Sequence, residues 1–228
     1  MKLQAILLAV STAFATTYAH AGSVEVPVEA GGAFSVPAIS LKEERFRATV
    51  RQQYDFSCGS AALSTLLTHH YGYVVTEQKV FEEMFQRGDQ EKIKKEGFSL
   101  LDIKLYLERH GFQANGFEAP LEKLASVGIP AIVLLKEKGY SHFVVVKGVR
   151  EGRVLIGDPA GGTRAMPRER FESLWLNHIL FVVSNKVEVA SFNRESDWRA
   201  APRSPLASGI TRDGLAGVLL PKLGPSDF

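Results

Sequence analysis

The sequence predicts an α+β fold in which N-terminal helices pack on a C-terminal antiparallel sheet. Apolar residues recur at helical spacing in the first half of the folded region, from Cys58 to Gly111. From Pro130 onward the pattern changes to short apolar runs separated by Gly-containing turns, which is typical of strands. Helices in one half and hairpin-connected strands in the other indicate segregated layers rather than alternating βαβ units.

The N-terminus has the pattern of a cleavable secretory signal peptide. Lys2 precedes an apolar run, which ends in the small-residue pattern Ala19-His20-Ala21. We therefore assign residues 1–21 to a signal peptide and expect an exported protein, because the run is shorter than the roughly 20 residues of a membrane span. Cleavage removes one Lys and no acidic residue, so the formal net charge falls from +2 to +1. A charge this small does not indicate a nucleic-acid partner.

Residues 22–44 show no helical period and are expected to form an extended leader with a short strand at Val24–Val28. A second strand is expected at Arg45–Val50, and the charged stretch Asp89–Gly97 is expected to be an exposed loop. Helices are predicted at Cys58–Tyr71, Pro120–Val127 and Pro167–Trp175. Another helix is predicted to begin after an N-cap at Thr76. A further helix is predicted to begin at a capping box of Ser99 and Asp102 and to end at Gly111.

The strands of the predicted sheet are Phe112–Phe117, Pro130–Leu135, Ser141–Val149, Arg153–Ile156 and His178–Val183. Together these elements indicate one domain over residues 45–185. Residues 186–228 contain many Pro and Gly residues, so they are expected to form a tail that is either disordered or docked on the domain or a partner.

The only cysteine of the chain, Cys58, stands where a polar loop passes into the first long helix. It has no partner for an intramolecular disulfide, and an unpaired thiol is a hazard in an oxidising exported compartment. Backbone N–H groups at a helix start favour the thiolate, which is the nucleophilic form. A buried structural cysteine is the alternative, but the flanking Ser57 and Gly59-Ser60 favour a nucleophile.

A thiol nucleophile needs a histidine beside it, and His142 has the most suitable position. It heads a predicted strand, where a rigid platform meets the rim of a cleft. His69 and His70 lie too far along the helix that begins with the cysteine to reach it. His110 ends another helix, where a cation suits the dipole, and His178 begins the last strand.

Asp158 ends the strand that follows the one headed by His142, and it can orient the imidazole. If these two strands pair as a hairpin, both side chains come to the same end of the sheet, because the turn joins the opposite ends. A turn residue before a proline is the alternative role, and the matched strand ends favour the functional one. A side-chain amide with the Cys58 N–H would complete an oxyanion site, for which Gln52 and Gln53 are both candidates.

Three motifs occur in the order known from one protease family. They are Gln52-x5-Cys58-Gly-x-Ala-x-Leu, then His142-Phe-Val-Val-Val, then Gly157-Asp158-Pro-Ala. From Arg45 to Val183 the chain thus resembles the double-glycine-leader peptidases, papain-like cysteine proteases best known as N-terminal domains of bacteriocin-exporting ABC transporters. The resemblance implies a papain-like fold with Cys58 as nucleophile and His142 as base. It also implies that Asp158 orients the imidazole and that Gln52, ahead of Gln53, supplies the oxyanion amide.

The same resemblance implies an exported cysteine endopeptidase that processes a secreted or outer-membrane-associated protein. The chain has no G-x-x-x-x-G-K-[ST] loop, so ATP is not expected as a ligand. With its signal peptide and tail it is similar to the free-standing periplasmic peptidases of functional-amyloid (Fap-type) export. The implied partners are a protein or peptide substrate and components of an amyloid or peptide export system. The family usually has Asp directly before the nucleophile, where this chain has Ser57.

Two other functions fit the same residues. One is a catalytically silent, peptidase-like module that binds an export substrate, and the other is an acyl or glutamyl transferase with the same triad. A metal centre is not expected, because adjacent histidines such as His69 and His70 point about 100° apart on a helix. The sequence contains neither H-E-x-x-H nor paired cysteines, so we expect no cofactor.

Overall fold

The computed structural model describes residues 23–27, 33–37, 39–137 and 139–203. The predicted signal peptide at 1–21 lies outside the described residues, as does the end of the predicted tail. The chain divides into two compact units after Ser40. The first contains an antiparallel hairpin of β1 (Ser23–Pro27) and β2 (Ala33–Pro37). A strand was expected at Val24–Val28, and β1 begins and ends one residue earlier.

The second unit contains eight helices within the described residues. They are α1 (Leu41–Phe46), α2 (Cys58–His70), α3 (Glu77–Arg87), α4 (Gln90–Glu96), α5 (Leu100–Arg109), α6 (Glu122–Val127), α7 (Arg168–Leu174) and α8 (Glu195–Arg199). The predicted N-caps are confirmed: Thr76 Oγ1 accepts the Lys79 N–H at 3.3 Å, and Ser99 and Asp102 form a capping box at α5.

Six strands form one antiparallel sheet in the order β3-β8-β4-β5-β6-β7. They are β3 (Ala114–Glu118), β4 (Ala131–Glu137), β5 (Tyr140–Arg150), β6 (Arg153–Asp158), β7 (Gly162–Pro167) and β8 (Ile179–Val183). Helices come first and the hairpin-connected sheet follows, so the predicted α+β class is confirmed.

The sheet is covered on both faces, because successive strand residues point to opposite sides. Ile132 of β4 pairs with Val145 of β5 in the layer packed against α2, α3 and α5. The next pair, Val133 with Val144, belongs to the layer packed against α6 and α7. All four residues are at most 1% exposed. This packing fixes the start of α2 against the ends of the central strands, where the candidate site lies.

Two predictions of local structure were wrong. The segment predicted as the strand Arg45–Val50 ends α1 and then turns, and the Val50 N–H donates to Thr65 Oγ1 of α2 at 2.9 Å instead of to a strand. The segment Asp89–Gly97 contains α4, capped by the Asp89 carboxylate on Lys92 N. Ile93 alone in α4 is buried, so the helix shows no apolar period in the sequence.

Residues 187–203 pack on the domain. The short 3₁₀ turn Val187–Val189 leads to α8, in which Asp197 and Trp198 are 2% and 3% exposed. Asp197 Oδ1 lies 3.3 Å from Nζ of Lys147, whose side chain is fully buried in the middle of β5. The same ammonium donates to the Ala48 carbonyl at 2.8 Å. One buried cation therefore joins the start of the domain, the central sheet and α8.

Candidate active site

Cys58 is the first residue of α2 and is 5% exposed. The hydroxyl of Ser57 donates to the Tyr54 carbonyl at 3.0 Å and accepts the Tyr54 N–H at 3.1 Å, so it fixes the preceding turn instead of capping the helix. First-turn N–H groups that no side chain caps can stabilise a negative charge at the helix start. Gly59 permits close packing here, because a Cβ in its place would lie 2.9 Å from Cβ of Phe98.

His142 and Asp158 are in direct contact, with Nε2 to Oδ1 at 2.7 Å. β5 and β6 pair antiparallel with Val145 opposite Gly157, so the start of β5 and the end of β6 lie at the same rim. This is the hairpin alignment that the strand positions predicted. The two side chains are 13% and 8% exposed, and shielding from water strengthens their charged hydrogen bond.

The electrostatic surroundings favour the charged forms of both residues. Burial lowers the pKa of His142, but hydrogen bonds with Asp158 and Cys58 and their negative charges outweigh burial and bring it to about 9. Burial raises the pKa of Asp158, whereas the bond to His142 and the His142 charge hold it well below its usual range. Because Nε2 faces Asp158, Nδ1 is the ring nitrogen left to face the thiol.

The Asp158 carboxylate has further partners. Oδ1 also accepts the backbone N–H groups of Ala160 at 2.9 Å and Gly161 at 3.2 Å. Oδ2 lies 3.0 Å from both Nε and Nη2 of Arg164. No strand was predicted between Ile156 and the helix expected from Pro167, so β7, which carries Arg164, was missed.

Gln52 lies at the site and Gln53 does not. Gln52 is half-buried and lines a cleft together with His142 and Asp158, whereas Gln53 is exposed and outside that lining. The Gln52 backbone N–H donates to the carbonyl of Pro159 at 3.1 Å, which ties this loop to the turn after β6.

The side-chain amide of Gln52 is oriented by two backbone carbonyls. Its Nε2 donates to the Tyr54 carbonyl at 3.0 Å and, with a longer contact of 3.4 Å, lies near the Asp55 carbonyl. Two carbonyl neighbours require nitrogen rather than oxygen at this position. Both amide hydrogens face carbonyls, so the Gln52 side chain must rotate and give up at least the longer contact before it can donate to an oxyanion.

Two clefts meet at these residues. One, of about 660 Å³, contains His142 and Asp158, and the other, of about 530 Å³, contains Cys58. Tyr140 and Asp55 border both clefts, and the Tyr140 hydroxyl donates to the Asp55 carbonyl at 2.7 Å. Sequence reasoning missed Tyr140, although its spacing of two residues from His142 on one strand indicates a shared face.

Two other histidines, His70 and His110, have structural partners. His70 is buried and donates through Nδ1 to the Ser191 carbonyl at 2.7 Å, and burial lowers its pKa to about 3. His110 follows α5 and lies 2.9 Å from Glu83 and 3.0 Å from Tyr73. Among the residues the structure describes, no cluster of His, Cys, Asp and Glu could hold a metal ion, and no helix could cross a membrane.

A model of the peptidase C39 family matches residues 47–187. The chain is 40% identical over 164 residues to a Pseudomonas fluorescens protein named "Probable functional amyloid protease FapD", covering 72% of each chain. It is 39% identical over 165 residues to the protein of the same name from Pseudomonas aeruginosa, covering 72% of this chain and 73% of the relative.

Among solved structures, the fold is similar to the peptidase domain of Streptococcus ComA, described as a bifunctional ABC transporter involved in quorum sensing. The two superpose with a TM-score of 0.51 at 25% identity, over 60% of this chain and 97% of the ComA domain. The peptidase fold implied by the sequence motifs is therefore confirmed.

Proposed function

Because the chain belongs to the peptidase C39 family, we propose that it is a cysteine endopeptidase in which Cys58 attacks the peptide bond. Family membership also confirms the resemblance to double-glycine-leader peptidases and the assignment as a cysteine peptidase. One observation carries the residue roles: His142 lies 2.7 Å from Asp158, and the Cys58 thiol is near enough to the imidazole to help raise the pKa of His142. A thiol, an imidazole and an orienting carboxylate in line are what nucleophilic acyl transfer requires.

The reaction begins from a Cys58 thiolate paired with the His142 imidazolium. The thiolate attacks the carbonyl carbon, and the π electrons move to oxygen, where the Cys58 N–H and the Gln52 amide stabilise the oxyanion. The C–N bond then breaks, the leaving amine takes the proton from His142, and a thioester remains. Neutral His142 next removes a proton from water, which attacks the thioester and releases the acid and the thiolate.

The two clefts are assigned to the two sides of the scissile bond. Because His142 must protonate the leaving amine, its cleft receives the residues that follow the bond, and the Cys58 cleft receives those that precede it. The Tyr140 hydroxyl bonds the Asp55 carbonyl at 2.7 Å between the clefts, and Cys58 is only 5% exposed. Little space is left for a side chain beside the thiol, so we expect Gly or Ala before the bond.

The relatives named as functional amyloid proteases suggest the substrate class. We propose that the chain processes a secreted or outer-membrane-associated protein in a functional-amyloid or peptide export system, and that the components of this system are its partners. In this proposal residues 1–21 direct export to the periplasm, 22–44 form a leader, 45–185 carry the residues that cut the substrate, and 186–228 form a tail whose first part, through residue 203, docks on the domain.

The test compares cells that produce the wild-type chain with cells that produce Cys58→Ala, by N-terminal sequencing of their exported proteins. We expect at least one new N-terminus after Gly or Ala that requires the thiol. In purified protein, His142→Gln is expected to abolish cleavage. The matched control is His178→Gln, because His178 is exposed and lies in a different cleft.

Cleavage by Cys58→Ala at the wild-type rate would exclude the thiol as nucleophile. If wild type binds an export substrate without cutting it, the chain is a silent binding module. An amine adduct in place of a new N-terminus would identify a transferase.

A further inference from the structure

Arg164 lies at the far side of the Asp158 carboxylate from His142. Oδ1 of Asp158 faces the imidazole, and Oδ2 lies 3.0 Å from both Nε and Nη2 of Arg164. With one oxygen bound on each side, the carboxylate cannot rotate without losing a charged hydrogen bond. The direction of Oδ1 toward Nε2 is therefore set from behind by the guanidinium.

Arg164 is itself fixed in position. It pairs with Ile156 across β6 and β7, two residues along from the Asp158–Gly162 pair, so its side chain emerges on the same face as Asp158. Its Nη2 also lies 3.6 Å from Oε2 of Glu137 on β4. The Arg164 side chain is 31% exposed and lines the cleft that contains His142. A rigid strand and two carboxylates thus hold the guanidinium beside the site.

The charge of Arg164 matters to the reactive state. A Cys58 thiolate, a His142 imidazolium and an Asp158 carboxylate carry a net charge of −1 in a region mostly shielded from water. Burying net charge is costly, and neutral arrangements are favoured. The Arg164 guanidinium offsets this charge, and the nearby Glu137 carboxylate is paired with Arg170 as well, so Arg164 favours the thiolate as well as the Asp158 carboxylate.

We propose that Arg164 is a positioning residue of the active site, which fixes the Asp158 carboxylate toward His142 and neutralises the ion-paired state of Cys58. This inference rests on the proposed function, since it assumes that the thiolate is the nucleophile.

The experiment uses Arg164→Gln, which removes the charge, and Arg164→Lys, which keeps it. The matched control is Arg168→Gln, because Arg168 has a similarly exposed side chain but binds Glu122 and Glu172. Cys58 is the only cysteine of the chain, so its rate of alkylation by iodoacetamide from pH 4 to 9 reports its thiolate fraction. Values of kcat and KM on an internally quenched Gly-Gly peptide and the melting temperature are measured alongside.

We expect Arg164→Gln to slow alkylation at pH 6 severalfold and to lower kcat with little change in KM, because the Asp158 carboxylate loses the partner that fixes it toward His142 and the site loses a positive charge. Arg164→Lys should recover most of the alkylation rate, and Arg168→Gln should behave as wild type. Wild-type alkylation by Arg164→Gln would overturn the inference. The inference would also be overturned if Arg164→Lys and Arg164→Gln lost alkylation rate and kcat equally and their melting temperatures fell to the same extent. If wild type alkylates no faster than free cysteine at pH 6, the proposed function itself fails.

Discussion

Replacing Asp158 with Asn is expected to change how activity depends on pH, beyond lowering it. Asn keeps the shape of the side chain but removes the charge that stabilises the His142 imidazolium. The hydrogen bond of 2.7 Å and the low exposure of both side chains make this charge effective. The variant therefore separates the electrostatic role of Asp158 from its role in orienting the ring.

The size of the effect follows from the pKa of His142. It lies at about 9 against an ordinary value of 6.5, a difference worth about 3 kcal/mol in favour of the imidazolium. Without the carboxylate, only Cys58 still opposes the effect of burial, so we expect the pKa of His142 to fall from about 9 toward its ordinary value of 6.5. If it reaches 6.5, the imidazolium at pH 7.5 falls from nearly all molecules to about one tenth.

The assay is kcat/KM on an internally quenched Gly-Gly peptide from pH 5 to 10, with iodoacetamide alkylation of Cys58 as a substrate-independent measure. We expect the ratio of wild-type to Asp158→Asn activity to rise steeply between pH 6.5 and pH 9, as only the variant loses its imidazolium. A ratio that stays constant with pH would refute the electrostatic reasoning and leave Asp158 an orienting role alone.

The same two shifts predict how stability depends on pH. The raised pKa of His142 contributes stability below pH 6.5 that is lost as pH rises through about 9. The lowered pKa of Asp158 contributes stability above pH 3.8 that is lost in stronger acid. The difference in unfolding free energy between wild type and Asp158→Asn should therefore be largest between pH 3.8 and 6.5, which urea unfolding at several pH values would measure.

Three further predictions concern other parts of the domain. Gln52→Ala should lower kcat about 100-fold, the usual loss for one oxyanion donor, while Gln53→Ala stays within about twofold in the same peptide assay. Tyr140→Phe removes the hydroxyl that bonds the Asp55 carbonyl, so the rate of cleavage after residues larger than Ala should rise relative to the rate of cleavage after Gly. If the ratio of these two rates is the same for Tyr140→Phe and wild type across a peptide series, the prediction is contradicted. Asp197→Ala leaves a buried lysine unpaired and should cost about 3–5 kcal/mol in urea unfolding. Glu195→Ala on the same helix breaks only an exposed ion pair and should cost less than about 1 kcal/mol; equal losses would argue against the buried pair.

The placement of His142 next to Asp158 could be predicted from the sequence because hairpin geometry is local. Two strands joined by a short turn have a nearly fixed register, so residues at their outer ends must meet. The contact of Arg164 with Asp158 could not be predicted in this way. Strand β7 has few apolar residues, and the sequence Gly-Thr-Arg-Ala-Met-Pro shows no strong alternation, so neither the strand nor its register was found.

The fold shows a similar division. Helices with caps or a clear apolar face, such as α3 and α5, were predicted to begin where they do. Helix α4 was missed because only one of its residues, Ile93, is buried. Two sequence signals were available, Asp89 as a possible N-cap and Gly97 as a possible helix end, and Gly97 does adopt a φ of +80° there. Packing of α8 depends on a charge partner in β5, fifty residues away, which no local pattern records.

The buried ammonium of Lys147 has a consequence for the order in which the protein matures. The lysine lies in the strand that also carries His142, yet its carboxylate partner, Asp197, is near the end of the described chain. Until that helix docks, Lys147 lacks its carboxylate partner in the sheet interior and must either keep an uncompensated charge there or lose its proton, and both are unfavourable. We therefore expect a nascent or truncated chain that lacks residues after 186 to be unable to complete its sheet. Proteolytic competence would then appear only when the whole domain has been synthesised.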